Sequence, residues 1–139
     1  MRISPAILLS CIALAISCSD KHEVTASQEI LIPNELIGKW DIIQYTDSGI
    51  DKTAVMTGIE LQFNASGSLS AFASDSLVDG AWNIISDIGL DKVSMQLNSY
   101  SHPYDILSAS WFVFSKSNGA LSLSHTSPVR SQILVMERQ

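Results

Sequence analysis

The sequence predicts an all-β fold: an eight-stranded antiparallel up-and-down barrel with short helical turns, set behind an N-terminal signal segment. Three observations carry this. From about residue 39, short segments alternate apolar and polar residues, the period-2 mark of half-buried strands. Turns built from Gly, Asn, Asp and Ser separate them at hairpin spacing. No stretch of the same region shows a long helical apolar period. A meander leaves open edges unless it closes, and eight strands close into a small barrel. A sandwich is the structural alternative, but hairpin-length connections suit an up-and-down order better than a Greek key.

The elements follow in quick order. Pro33-Asn34-Glu35-Leu36 reads as one helical or 3₁₀ turn, with Asn34 as its cap. Leu36 to Ile43 opens the domain, and the first strand covers residues 39–46. A polar loop at 47–52 leads to a short helical turn at 53–56. The second strand, 58–64, alternates Ile59, Leu61 and Phe63 with Glu60, Gln62 and Asn64. Asn64-Ala65-Ser66-Gly67 is a hairpin loop. Strand three covers 68–74 and strand four 77–86, with a turn at Asp75-Ser76. Asp87-Ile88-Gly89 turns into strand five at 91–98, where Val93, Met95 and Leu97 share a face. Residues 99–107 are irregular, because Pro103 excludes a central strand; a helical turn follows that proline. Strand six covers 109–116. Asn118-Gly119, a strong hairpin signal, leads to strand seven at 120–125. A turn at 126–128 leads to strand eight at 130–138. Gly38-Lys39-Trp40-Asp41-Ile42-Ile43 recurs as Gly80-Ala81-Trp82-Asn83-Ile84-Ile85, which reads as two strands meeting one packing need rather than a repeat.

The chain has 139 residues, enough for one domain, and a formal net charge of −6. Scattered Lys and Arg leave no electrostatic footprint for nucleic acid. A membrane address lies in the first residues instead. Met1-Arg2 is positive, and residues 3–16 are apolar but too short to span a bilayer, which takes about 20 apolar residues. They fit a secretory signal. Ile16-Ser17-Cys18 resembles the bacterial lipobox, although Ala15 stands where Leu is commoner. An ordinary cleaved signal peptide is the alternative. The resemblance implies residues 1–17 as signal peptide and Cys18 as an acylated N-terminus in the bilayer. Both cysteines, Cys11 and Cys18, fall in this segment, so the domain has no disulfide to make. Ser19, rather than Asp, follows Cys18, which implies the outer membrane by the same resemblance. Residues 18–33 read as the lipidated Cys and a tether, and 34–139 as the barrel domain.

The domain resembles bacterial lipocalin-like lipoproteins, on several motifs in order: Gly38 and Trp40, the loop 47–53, Phe63 to Ser68, Gly80 and Trp82, Trp111, and the closing strand 134–138. In lipocalins a late-strand basic residue packs on the first-strand Trp. The resemblance therefore implies Gly38, Trp40 and Arg138 as the barrel-closing set, with Arg130 the lesser candidate. The Thr-Asp-Tyr-type motif is absent. META-type lipoprotein domains, which open on Leu-x-Gly-x-Trp, are the runner-up.

No catalytic constellation is legible. His22, His102 and His125 are scattered, Gly-x-Ser-x-Gly is missing, and the domain has neither a metal-ligand spacing nor a phosphate loop. No cofactor is implied. Binding remains: an apolar or amphipathic ligand inside a barrel lined by Trp40, Ile42, Leu61, Phe63, Trp82, Met95 and Trp111. The same residues suit a filled core. A filled barrel implies a protein-binding module of the envelope, using loop 99–107 with Tyr100, Tyr104, Ile106 and Leu107.

Overall fold

Turn chemistry sets the strand order. Gly119 sits at φ +85° between two strands, a left-handed conformation that glycine adopts without strain. The computed structural model describes Leu31 and residues 33–139; the signal segment and Cys18 lie outside the described residues. Nine strands run β1 (Gly38–Asp47), β2 (Ile50–Asp51), β3 (Glu60–Phe63), β4 (Ser68–Ala73), β5 (Ser76–Asp87), β6 (Leu90–Leu97), β7 (Ser110–Ser117), β8 (Ala120–Ser127) and β9 (Arg130–Arg138). Apart from the two-residue β2, which pairs only with the end of β1, each strand from β3 onwards pairs antiparallel with the next. β1 pairs with both β3 and β9. The result is a closed eight-stranded antiparallel barrel with β2 as an appendage. Three helical turns complete it: α1 (Pro33–Leu36), a 3₁₀ turn (Thr53–Met56) and α2 (Tyr104–Leu107). Asn34 lies inside α1 rather than at its cap, because Pro33 takes the first helical place, where a missing N–H does no harm.

Two bulges change which side chains face inward. Along β1, Trp40 and Ile42 are buried, Ile43 and Gln44 are both exposed, and Tyr45 and Asp47 are buried again. The β1–β9 register shifts between Ile42 and Gln44, which places one extra residue in β1 and flips the remainder of the strand. Asp47, expected in a loop, therefore ends β1 with its side chain turned inward. A second shift, between Val113 and Ser115, leaves Phe114 and Ser115 both outward, Phe114 70% exposed, and turns Lys116 back toward the Leu121 side.

The interior is packed with apolar side chains. Trp111, Tyr45, Phe63, Leu61, Leu69, Leu123 and Leu134 are essentially inaccessible. Each buried indole N–H finds a carbonyl, as buried donors must. Trp40 Nε1 donates to Leu36 O at 2.7 Å, Trp111 Nε1 to Leu107 O at 3.2 Å and Trp82 Nε1 to Asn64 O at 2.9 Å. Two of these cap the last carbonyls of α1 and α2, so each of those two turns is tied to a core Trp. Leu31, assigned by sequence to the tether, is buried at 4% exposure and joins this core.

The two Gly-x-Trp motifs answer different constraints. Gly38 precedes Trp40 at φ +132°. Gly80 has no unusual φ, but a Cβ there would lie 2.0 Å from Gln96 O and 2.8 Å from Leu97 Cα. β5 and β6 thus cross at a contact that only glycine allows. Both partners are backbone and cannot step aside. We expect Gly80→Ala to destabilise the barrel by about 3 kcal/mol through overpacking. Urea unfolding followed by tryptophan emission should show the lowered midpoint, whereas Gly119→Ala, which meets no atom within 4 Å, should carry only its turn strain.

Candidate functional site

The barrel's two ends differ in chemistry. At one end α1 sits over Trp40. The guanidinium carbon of Arg138 lies 5.0 Å from the Trp40 ring centroid, a cation–π distance, and Arg138 Nη2 also donates to Glu35 O. Lys116 reaches Glu35 at 2.9 Å. Gly38, Trp40 and Arg138 therefore meet at this end. A cleft of about 540 Å³ opens beside them, lined by Leu31, Trp40, Lys116, Leu121 and Arg138 among others.

At the other end, α2 and the 3₁₀ turn cover the core with Leu107, Tyr104 and Met56. Around that cover lies a polar mouth. The β1 bulge brings in Tyr45 and Asp47, and β9 contributes Gln132 from the facing strand, where Asp47 and Gln132 are register partners. Gln132 Nε2 donates to Tyr45 Oη at 2.7 Å, with both side chains buried. Burial, then the neighbouring Asp47 charge, raises the Tyr45 pKa, so the phenol stays neutral. Asp47 accepts from Lys52 Nζ and Ser48 Oγ, each at 3.2 Å. Burial pushes its pKa up, but the hydrogen bonds from Lys52 and Ser48 and the charges of Lys52 and Arg130 outweigh this and leave it below the ordinary aspartate value.

Two clefts meet here. One, of about 430 Å³, is lined by Tyr45, Asp47, Lys52, Val55, His102, Asp105, Ile106 and Arg130. The other, of about 250 Å³, shares Asp105, Ile106 and Arg130 and adds Ser108, Ala109, His125, Ser127 and Gln132. His125 Nδ1 lies 2.9 Å from Ser110 O; a carbonyl can only accept, so that nitrogen carries the proton. His102 pairs with Asp105 at 3.3 Å on the rim. The Arg130 guanidinium has no hydrogen-bond or ion-pair partner among the described residues. Among those residues, no group of three or more His, Cys, Asp or Glu is placed to hold a metal ion.

The predicted ligand-lining residues Trp40, Ile42, Leu61, Phe63, Trp82, Met95 and Trp111 all join one buried cluster. None of the seven lines either cleft at the mouth. Trp40 borders the cleft at the α1 end, and Met95 borders one of about 620 Å³ along the β6–β7 seam. That seam has three paired residues, Lys92 to Ser94 against Ser110 to Phe112. Past them, Ser108 Oγ and Ala109 O accept from Leu97 N and Met95 N. In loop 99–107, Tyr104 and Leu107 are buried and Ile106 is half-buried; Tyr100 is fully exposed. Arg130 and Gln132 could have been found by extending the alternation of Leu134 and Met136 back along strand eight. Tyr45 and Asp47 could not, since no residue announces the bulge.

No family model matches the chain, and no curated protein matches it. Among solved structures it is similar to a DUF4847 family protein from Bacteroides vulgatus. The two are 12% identical with a TM-score of 0.54, over 75% of this chain and 94% of that one. The likeness is one of fold alone.

Two outcomes follow from the mouth. Tyr45→Phe strands the Gln132 amide without its buried acceptor and should cost about 1–3 kcal/mol. Tyr45→Phe with Gln132→Leu should recover part of that loss in a double-mutant cycle. Asp47 has a folded-state pKa below its unfolded value, so its stabilisation is complete above the ordinary aspartate range and is lost as pH falls through the lowered value. Melting temperature should therefore drop with acid in that window, and Asp47→Asn should flatten the drop while lowering stability at neutral pH.

Proposed function

We propose that this chain is a lipid-anchored protein of the bacterial envelope whose barrel binds a small amphipathic anion at its polar mouth. The anchor is Cys18, and Ser19 beside it favours the outer membrane. The lipocalin-like resemblance supports a binding role. The observation that carries the site is Arg130, whose guanidinium has no hydrogen bond or ion pair among the described residues and stands where two clefts meet, with half-buried Ile106 lining both. A guanidinium presents paired donors that match a carboxylate or phosphate. Val55 and Ile106 offer apolar contact for the ligand's other half. Asp47 and Asp105 flank the anchor and disfavour a second negative charge. The ligand sits at the mouth rather than among Leu61, Phe63 and Trp82, because those side chains pack against one another.

A second reading is a protein-binding module at the same end. Tyr100, Ile50 of β2 and Val129 are largely exposed there. It calls for no small ligand.

Binding of decanoate, decylamine and decanol, followed by calorimetry, tests the first reading. Decanoate should bind best, and Arg130→Gln should weaken it by about tenfold or more, in line with a lost charge-assisted hydrogen bond, while leaving decanol unchanged. Equal affinity for all three, or no effect of Arg130→Gln, would turn the assignment toward the protein-binding module.

A further inference from the structure

The described chain begins inside the α1 end. Leu31 is buried, and its N–H donates to Asp91 Oδ2 at 2.7 Å. The other Asp91 oxygen accepts from Ser86 Oγ at 2.6 Å. These bonds tie the incoming chain to the β5–β6 hairpin. Any anchor on Cys18 therefore pulls at this hairpin. Thirteen residue steps separate Cys18 from Leu31, a reach of about 45 Å at full extension. A lipid-bound Cys18 holds the hairpin within that distance of the bilayer.

Apolar side chains stand exposed at the tip of the same hairpin. Ile88, at its tip, is 95% exposed, and Ile85 and Leu90 are exposed on its strands. The neighbouring β7 adds Phe114, which faces outward beside the bulge. Lys92 pairs with Phe112 at the end of the β6–β7 ladder, and Leu90 and Phe114 lie two residues beyond that pair on their own strands. Lys92 Nζ lies 4.7 Å from the Phe112 ring centroid at the edge of this patch.

Ile88 argues that the patch has a use. It takes φ +51°, a left-handed conformation that is an outlier for a β-branched residue and natural for Gly or Asn. An isoleucine there is strained and nearly naked to solvent. Neither the turn nor the core needs it.

We propose that Ile85, Ile88, Leu90 and Phe114 rest on the surface of the bilayer to which Cys18 tethers the chain. The α1 end then faces lipid and the polar mouth faces away. This orientation rests on the acylation of Cys18 proposed above. Each contact alone is weak, but a short tether raises the effective concentration of the patch at the lipid surface to roughly the millimolar range. An intact apolar group at the interface then suffices to hold one orientation.

The test uses the full chain, expressed with its own signal in a Gram-negative host. The mass of the mature N-terminal peptide reports acylation. In an acylated chain Cys11 has left with the cleaved signal peptide and lipid occupies Cys18, so an introduced cysteine is the sole free thiol. Ile88→Cys, Phe114→Cys and Ile50→Cys are each labelled with an environment-sensitive fluorophore. All three positions are exposed, and circular dichroism checks that the fold survives. The proteins are placed in phosphatidylethanolamine–phosphatidylglycerol vesicles carrying a nitroxide on the headgroup. Emission at positions 88 and 114 should shift to the blue and be quenched several-fold more than at position 50, which lies at the opposite end. An acylated protein with equal quenching at all three, or with most at 50, overturns the orientation. A mature peptide without acyl mass overturns the lipidation reading itself, and the tethering of the patch falls with it.

Discussion

Everything in this fold depends on the ladder between β1 and β9. Strands β3 to β9 could pair one after another and still leave a curved sheet with two raw edges. Closure joins residues 98 positions apart, Trp40 with Arg138, through to residues 85 apart, Asp47 with Gln132. Bringing such distant segments together carries a loop-closure entropy that local hairpins avoid. Side chains offset it at both ends. Arg138 lies on Trp40 and bonds to the Glu35 carbonyl at one end. Gln132 bonds to Tyr45 at the other. The seam is bracketed by two interactions that exist only when the barrel is shut.

The bulge in that ladder links closure to chemistry. With unbroken alternation, Gln44 would face inward after Ile42, and Tyr45 and Asp47 would face solvent. One extra residue reverses this. A phenol and a carboxylate are thereby moved onto the inner face, where they meet Gln132, Lys52 and Arg130. Burying such groups is costly unless each is partnered. Tyr45 and Asp47 have their partners, and no buried side-chain nitrogen or oxygen among the described residues lacks one. Arg130 stays exposed on the rim, where the same rule does not force a partner on it. A hydrogen-bonded polar layer thus lies below a guanidinium that has no hydrogen bond or ion pair among the described residues.

Much of the barrel is legible in the sequence, and the reason is the clean alternation of its hairpins. Ile59, Leu61 and Phe63 are buried as their spacing implies, as are Val93, Met95 and Leu97. Asn118-Gly119 turns where a Gly is needed. The seven apolar residues named as lining form one cluster, since alternation reports the inner face. Alternation does not report what that face touches. A cavity wall and a packed core require the same side chains, so the location of open space is not written in them. The mouth is harder still. Its groups come from β1, the loop after it, α2, β8 and β9. Asp47 turns inward through a backbone irregularity that has no residue signature. Tyr104 and Leu107, in a stretch that reads as a surface loop, are plugs because α2 folds back onto the β6–β7 seam.

That plug decides where a ligand can bind. An interior ligand would have to displace α2, which buries Tyr104 and Leu107 and is held by Trp111 on the Leu107 carbonyl and by Ser76 Oγ against Tyr104 Oη at 2.9 Å. Exposing two large apolar side chains costs about 4 kcal/mol on the usual burial scale. If the open form is that much higher in energy, an interior ligand's apparent affinity falls roughly a thousandfold. A ligand seated on Arg130, Ile106 and Val55 leaves α2 in place and carries no such penalty. For the ligand proposed above, the mouth is therefore the better site even though the core is the more apolar one, because the barrel is already closed over its own side chains.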